Sequence, residues 1–344
     1  MSKKLVILVH GMGNHPKGSM IKEFKKALSD RAKAFGIIEQ SYFSKADHKE
    51  FNYSEYFDLL RKQFADNAEA RKKGFKYLTG KGFEEKLLLQ LTNFESKLSK
   101  DEFFYTHWLD VVLYSTMYFG EKIRLDFIDF FDKQHKKYGH SNIHLISHSL
   151  GTAVAHDSLA KYYRTESDPF DNIPDLKTGD FNIASIWTFA NVTRMVNRLN
   201  NLTDPIQSTV VTGTDGCSSN FANIRHKYDP FTWFLTYNRR MSNYYSVVPT
   251  IIRNVNTHDF YEYITEPRVA RAMLNLIYEQ SITDTQFEKG VSEHKEGTLK
   301  EEAKELRDLL KSIWEKPSLD SVKDVVKQFK TIQKKIDELS GINE

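Results

Sequence analysis

Two apolar runs constrain this chain more than any other feature, because each is strand-length and each stops abruptly at small residues. Leu5-Val6-Ile7-Leu8-Val9 runs into His10-Gly11-Met12-Gly13, and Asn142-Ile143-His144-Leu145-Ile146 runs into Ser147-His148-Ser149-Leu150-Gly151. Short apolar runs of this kind read as strands, and strands that alternate with helices along the chain predict an α/β fold. The second run places Ser149 between Ser147 and Gly151. A strand that turns sharply into a helix crowds the residues two before and two after the turn. Small residues at both places therefore fit a serine whose hydroxyl is projected from such an elbow.

The rest of the chain supplies the alternation. Ser19 to Phe35 reads as a helix with Ile21, Phe24, Leu28 and Ala32 near one face. A second strand is expected within Ile37 to Phe43 or around Phe51. A long helix over Asp110 to Lys136 feeds the elbow strand. The helix after Ser149 carries Ala153, Val154, Ala155 and Ala160, small residues that let it lie close on a sheet. Further strands are expected over Ala184–Phe189, Asn223–Lys227 and Val247–Val255. Met195 to Asn220 reads as a loop-rich excursion with Gly213 and Gly216.

Taken together, the strand with an HG turn and the strand–elbow–helix resemble the α/β-hydrolase superfamily, in particular its lipase- and esterase-like members. The resemblance covers about the first 280 residues and implies a mostly parallel central sheet flanked by helices. It also implies a triad in the order Ser, Asp or Glu, His. Asn223-Ile224-Arg225-His226-Lys227-Tyr228-Asp229-Pro230 ends a strand-like run at an Asp-Pro loop, and Thr257-His258-Asp259 precedes a helix. The resemblance therefore carries nucleophile to Ser149, acid to Asp229 and base to His258. Oxyanion donors carry to the backbone N–H groups of Met12 and Leu150, with His10, Gly11, Ser147 and Gly151 as motif support. Ser147 replaces the family's usual first glycine. The implied activity is hydrolysis of carboxylic esters, lipid or small acyl ester, through an acyl-enzyme. The competing expectation is a catalytically idle fold of the same kind that serves as a binding module.

Other residues compete for these roles. Asp204 precedes a proline and Asp215 sits in a Gly-rich loop, and neither directly ends an apolar run. His226 lies within the strand-like run before Asp229. His258 lies in a post-strand loop, where functional residues of open α/β sheets collect. His148 beside the serine reads as a packing residue or a pocket flank. His135, His140, His144 and His148 show a spacing that suggests zinc, but a strand over 142–147 breaks the helical geometry this needs. No metal and no cofactor are expected.

Composition sets outer bounds. Lys and Arg number 49 against 46 Asp and Glu, too balanced to predict nucleic acid as partner. No apolar run approaches the ~20 residues of a membrane span. The lone Cys217 excludes an internal disulfide and suits a reducing, cytoplasmic location. Met1-Ser2-Lys3-Lys4 resembles a signal-peptide start, but the apolar run behind it is also the first core strand, so no signal peptide is expected.

Residues 56–104 read as inserted helices, around Tyr56–Lys73 and Phe83–Leu98, either a cap over the pocket or a peripheral pair. The aromatic run Phe231-Thr232-Trp233-Phe234-Leu235 beside Asp229 suggests an apolar acyl pocket. Residues 281–344 read as a C-terminal amphipathic extension, with helices over Thr298–Trp314 and Ser318–Leu339 around Pro317. Helices this amphipathic need a partner. The body of the chain, a second copy, and peripheral contact with a membrane remain open.

Overall fold

A computed structural model describes residues 3–66, 110–111, 113–115, 117–163, 182–232, 235–253 and 256–296. The inserted helix expected over 83–98, the two C-terminal helices beyond residue 297, and Trp233 and Phe234 lie outside these residues.

The chain alternates strand and helix, as the apolar runs require. In chain order come β1 (Lys4–Val9), α1 (Ser19–Ala34), β2 (Ala46–Phe51), α2 (Ser54–Asp66), α3 (Met117–Tyr138), β3 (Ile143–His148) and α4 (Leu150–Tyr162). These are followed by β4 (Ser185–Phe189), α5 (Thr193–Asn200), β5 (Phe221–Ile224), β6 (Tyr244–Val247), α6 (Phe260–Thr265), α7 (Pro267–Tyr278) and α8 (Asp284–Glu296). The six strands form one sheet in the order β2-β1-β3-β4-β5-β6. Every pairing is parallel, with Val9 opposite Phe51 on one side and Ser147 on the other.

The sheet is covered on both faces, which is why β1, β3, β4 and β5 are buried almost throughout. Leu5, Ile7 and Val9 point into one core with Phe127, Phe131, Ala153 and Val154 from α3 and α4. Val6 and Leu8 point into the other with Phe24, Leu28, Ile264 and Met273 from α1, α6 and α7. Side chains of a strand alternate faces, so β3 sends Leu145 and Ser147 to the first core's side and Ile146 to the second. The edge strands differ: β2 is intermediate in burial through its middle, and Tyr245 and Ser246 of β6 are exposed.

The structure corrects several expected boundaries. Residues 41–45 form a 3-10 turn, and the second strand is Ala46–Phe51. The strand expected over Val247–Val255 is Tyr244–Val247 instead. Pro249 offers no N–H to a ladder, and beyond it the chain serves β5's exit, Lys227 N–H donating to the Pro249 carbonyl at 2.9 Å. The strand expected over Asn223–Lys227 is Phe221–Ile224. The excursion from Met195 opens inside α5, and the irregular chain starts after Asn200. The helix feeding β3 extends to Tyr138 and ends at Gly139, whose φ of 76° is one that glycine adopts without steric cost. Among the described residues, no helix is long and apolar enough to cross a membrane.

Within the segment after residue 281, α8 lies on α1 and α7. Arg31 of α1 donates to the carbonyls of Gly290 and Thr265, both at 2.7 Å, and to Nδ1 of His294 at 2.9 Å. Since an arginine only donates, Nδ1 is the acceptor. Burial, then the Arg31 and Arg253 charges, push the imidazole of His294 down to about 3. A Cβ at Gly290 would come within 2.3 Å of the buried Phe35 ring. Gly290→Val should therefore destabilise the protein by about 1–3 kcal/mol, read as a lower urea midpoint, whereas Ser292→Val on the same helix should leave it within ~0.5 kcal/mol.

Candidate active site

The strand order reverses between β1 and β3, and in open α/β sheets the crevice at such a point, beyond the strands' carboxyl ends, is where ligands bind. Here the chain leaving β1 is His10-Gly11-Met12 and the chain leaving β3 is Ser149-Leu150-Gly151.

Ser149 has φ 52° and ψ −126°, a conformation that L-residues rarely adopt. Such strain costs on the order of 1–3 kcal/mol and persists only where the surroundings enforce it. Three contacts do so. Ser149 N–H donates to the Phe189 carbonyl at 2.9 Å, and the Ser149 carbonyl accepts from Thr152 N–H at 2.9 Å and the Thr152 hydroxyl at 2.6 Å. The small residues around it also have reasons. A Cβ on Gly151 would lie 2.3 Å from the His10 carbonyl oxygen, and one on Gly11 would lie 2.9 Å from the Ser149 Cβ. Ser147 is fully buried, and its hydroxyl donates to the Trp187 carbonyl at 3.2 Å.

The three residues expected to act together are brought together. His258 Nε2 is 2.8 Å from Ser149 Oγ, and His258 Nδ1 is 2.8 Å from Asp229 Oδ2. Ionised, Asp229 can only accept, so Nδ1 carries the proton and Nε2 faces the serine as an acceptor. The Asp229 side chain is 0% exposed and His258 14%. The other Asp229 oxygen accepts from Phe231 N–H at 3.0 Å. Asp204 and Asp215 are exposed, and Asp204 caps its own turn through Ile206 N–H. His226 is spent on backbone, Nδ1 accepting from Tyr228 N–H and Nε2 donating to the Ile251 carbonyl.

Four further residues shape the site, and the sequence did not assign them these roles. His148 Nε2 donates to the His258 carbonyl at 2.9 Å, tying β3 to the loop of His258. Burial, then the neighbouring His258, push the His148 imidazole well below its ordinary value, so it stays neutral. The Tyr53 hydroxyl lies 2.9 and 2.8 Å from the carbonyl oxygens of His10 and Gly11 and shares its one hydrogen between them, while the Tyr53 N–H donates to His10 Nε2 at 3.1 Å. With the Gly11 carbonyl held toward Tyr53, the planar trans peptide turns the Met12 N–H the opposite way. Asp110 accepts from Gly13 N–H at 2.8 Å. Tyr263 donates to Asp229 Oδ2 at 2.6 Å. None of the four carries a local motif, because each acts from an element distant in the chain or through the backbone.

A second Ser–His–Asp contact provides a comparison. Ser208 Oγ is 2.9 Å from His156 Nε2, and His156 Nδ1 is 2.9 Å from Asp157 Oδ1. All three are buried. However, Ser208 is off any strand-to-helix turn, its Oγ also accepts from Val210 N–H, and Asp157 is shared with Tyr114 and Asn200. This array ties α4 to the loop after α5.

No protein-family model matches the chain, and no curated protein sequence matches it.

Two outcomes follow from this geometry. The atoms facing Gly151 are backbone carbonyls of β1's exit, which cannot swing away. Gly151→Ala should lower stability by about 1–3 kcal/mol, read by urea unfolding. The second concerns Glu23 of α1, which donates to Asp259, the residue after His258 and N-cap of α6. Burial, then the Asp259 charge, push the Glu23 carboxyl up to about 7 from 4.5. The folded state holds this proton after the unfolded chain has lost it. Stability from this group therefore falls as pH rises from 4.5 to 7 and stays low above. Glu23→Gln should match the wild type at pH 4 and exceed its Tm by about 1–3 °C at pH 8.

Proposed function

We propose that this chain is a serine hydrolase of the α/β-hydrolase type that cleaves carboxylic esters through an acyl-enzyme. One observation carries the reading: a serine at positive φ between a strand and a helix, hydrogen-bonded to an imidazole that is itself hydrogen-bonded to a fully buried carboxylate. The sheet order and the order Ser149, Asp229, His258 along the chain agree with that family resemblance.

The chemistry follows from the atoms. Ser149 Oγ attacks the ester carbonyl carbon while His258 Nε2 takes its proton. The imidazolium formed is stabilised by Asp229, which also holds the ring in the required tautomer. The carbonyl oxygen becomes an oxyanion facing the backbone N–H groups of Leu150 and Met12. Leu150 is the first residue of α4, so its N–H has no acceptor within the helix. The Met12 N–H is turned by the Tyr53 clamp on the Gly11 carbonyl. Donors of this kind contribute about 3–4 kcal/mol each to the transition state. As the tetrahedral intermediate collapses, Nε2 returns the proton to the leaving alcohol. Water then adds to the acyl carbon and gives a proton to Nε2, which passes it to Ser149 Oγ as the serine–acyl bond breaks and the acid leaves.

The substrate class we favour is an ester with an apolar acyl part, since the Phe231 ring lies 4.5 Å from the His258 ring and gives that side of the site an apolar wall. No cofactor enters this chemistry. A cytoplasmic setting remains part of the proposal.

A fluorophosphonate probe, which bonds only to an activated serine, tests the reading. The wild type should label, and Ser149→Ala should not. On p-nitrophenyl butyrate, Ser149→Ala and His258→Ala should each lose about 10⁴-fold or more in kcat, and Asp229→Asn a loss of similar order. Labelling that persists in Ser149→Ala, or a wild type that neither labels nor hydrolyses while its fold is intact, would overturn it and favour the binding-module reading.

A further inference from the structure

Asp229 Oδ2 has two donors, and both come from one short segment. His258 Nδ1 is 2.8 Å away and the Tyr263 hydroxyl is 2.6 Å away. Tyr263 lies on α6, which starts two residues after His258. Its hydroxyl also accepts from His226 N–H at 2.9 Å. A phenol has a single hydrogen to give, and with the N–H of His226 occupying one lone pair, that hydrogen is directed to Asp229. Tyr263 is 1% exposed, and burial, then the Asp229 charge, push its hydroxyl well above the ordinary tyrosine value. It is therefore a donor at every pH the fold survives.

Packing does not explain the hydroxyl. The ring sits edge-on to Phe189 at 6.0 Å and tilted to His148 at 6.1 Å, contacts that a phenylalanine would make as well. Burying a hydroxyl in this core is costly unless it is hydrogen-bonded, and its bonds reach only the acid and the backbone beside it. A hydrogen bond to the charged form of a carboxylate draws on that charge. Oδ2 then has less to offer the imidazolium.

We propose that Tyr263 is a positioning residue that holds Asp229 in place and lowers the basicity of His258 by sharing the oxygen that His258 bonds. The role rests on the triad reading above. It sets the working pH of the enzyme: with the donor present, the imidazole releases its proton at lower pH and the base is ready over a wider range. Among the described residues, the other ionisable groups facing this set are His148 on β3, Asp259 next in the chain, Glu23 of α1 through Asp259, and, beside Asp229 and Tyr263, His226 and Arg225 after β5. Oδ2 takes its hydrogen bonds from His258 and Tyr263.

Tyr263→Phe removes the hydroxyl and keeps the ring. The acid limb of kcat/KM on p-nitrophenyl butyrate should move up by about 0.5–1 pH unit. The plateau rate should fall less than tenfold, with KM unchanged, because the buried residue cannot reach substrate. A purely structural role would lower Tm or plateau rate without moving the limb, and an unmoved limb overturns the proposal. If Tyr263→Phe does not fold, 3-fluorotyrosine placed at position 263 strengthens the donor and should move the limb down; no movement, or movement upward, overturns the proposal. The same comparison in a Ser149→Ala background, following the His258 ¹⁵N resonances against pH, needs no activity. A wild type silent toward esters and fluorophosphonate would defeat the hydrolase reading, whereas an unchanged ¹⁵N titration midpoint would defeat the role of Tyr263.

Discussion

The closeness of two backbone segments at the sheet's switch point is the constraint on which the site depends. A Cβ on Gly151 would meet the His10 carbonyl at 2.3 Å and the Val9 carbonyl at 2.5 Å, and one on Gly11 would meet Ser149. α4 can therefore begin directly against the end of β1 only if both residues are glycine. That approach drives Ser149 into a backbone conformation that costs free energy. The bonds from Phe189 and Thr152 hold it there. A serine hydroxyl, a helix N-terminus and the turn after β1 are thus assembled by one packing contact between two strand ends.

The comparison with Ser208, His156 and Asp157 shows why the hydrogen-bonded triplet is not sufficient by itself. Both triplets have contacts below 3 Å. The carboxylates differ little, since Asp157 also accepts from Tyr114 and Asn200, and Asp229 from Tyr263 and Phe231. The serines differ: Ser208 Oγ also accepts from Val210 N–H, whereas Ser149 stands at a strand-to-helix turn beside the first N–H groups of α4.

The loop that carries His258 is held from several directions. His148 fixes the His258 carbonyl, and Asp229 fixes its ring. Below it, α6 is anchored by Arg31, which donates to the Thr265 carbonyl at the end of that helix and to Gly290 and His294 of α8. The segment carrying His258 and Tyr263 is therefore tied through one buried arginine to the helix α8. Asp259, capping α6 and paired with Glu23, connects the same loop to α1.

The sequence by itself determined the buried strands at Leu5–Val9 and 143–148 and the α/β alternation, legible because each rests on a local rule: an apolar run, a turn that admits only small residues, a loop after a strand. The family resemblance, read on those same motifs, singled out Ser149, Asp229 and His258, which the fold brings into hydrogen-bond contact. Strand ends were less legible. β6 is an exposed edge whose Tyr245 and Ser246 carry no apolar signal, while the apolar run after it is not a strand because Pro249 interrupts the ladder. The tertiary structure alone decided the roles of His148, Tyr53, Asp110 and Tyr263. Their contacts join residues 34 to 110 positions apart, or pass through backbone carbonyls that any residue type provides. Local sequence fixes which residue types stand at a strand end or a turn, and the folding of distant segments onto one another fixes which of their atoms face each other, because hydrogen bonds are set by position in space and not by spacing along the chain.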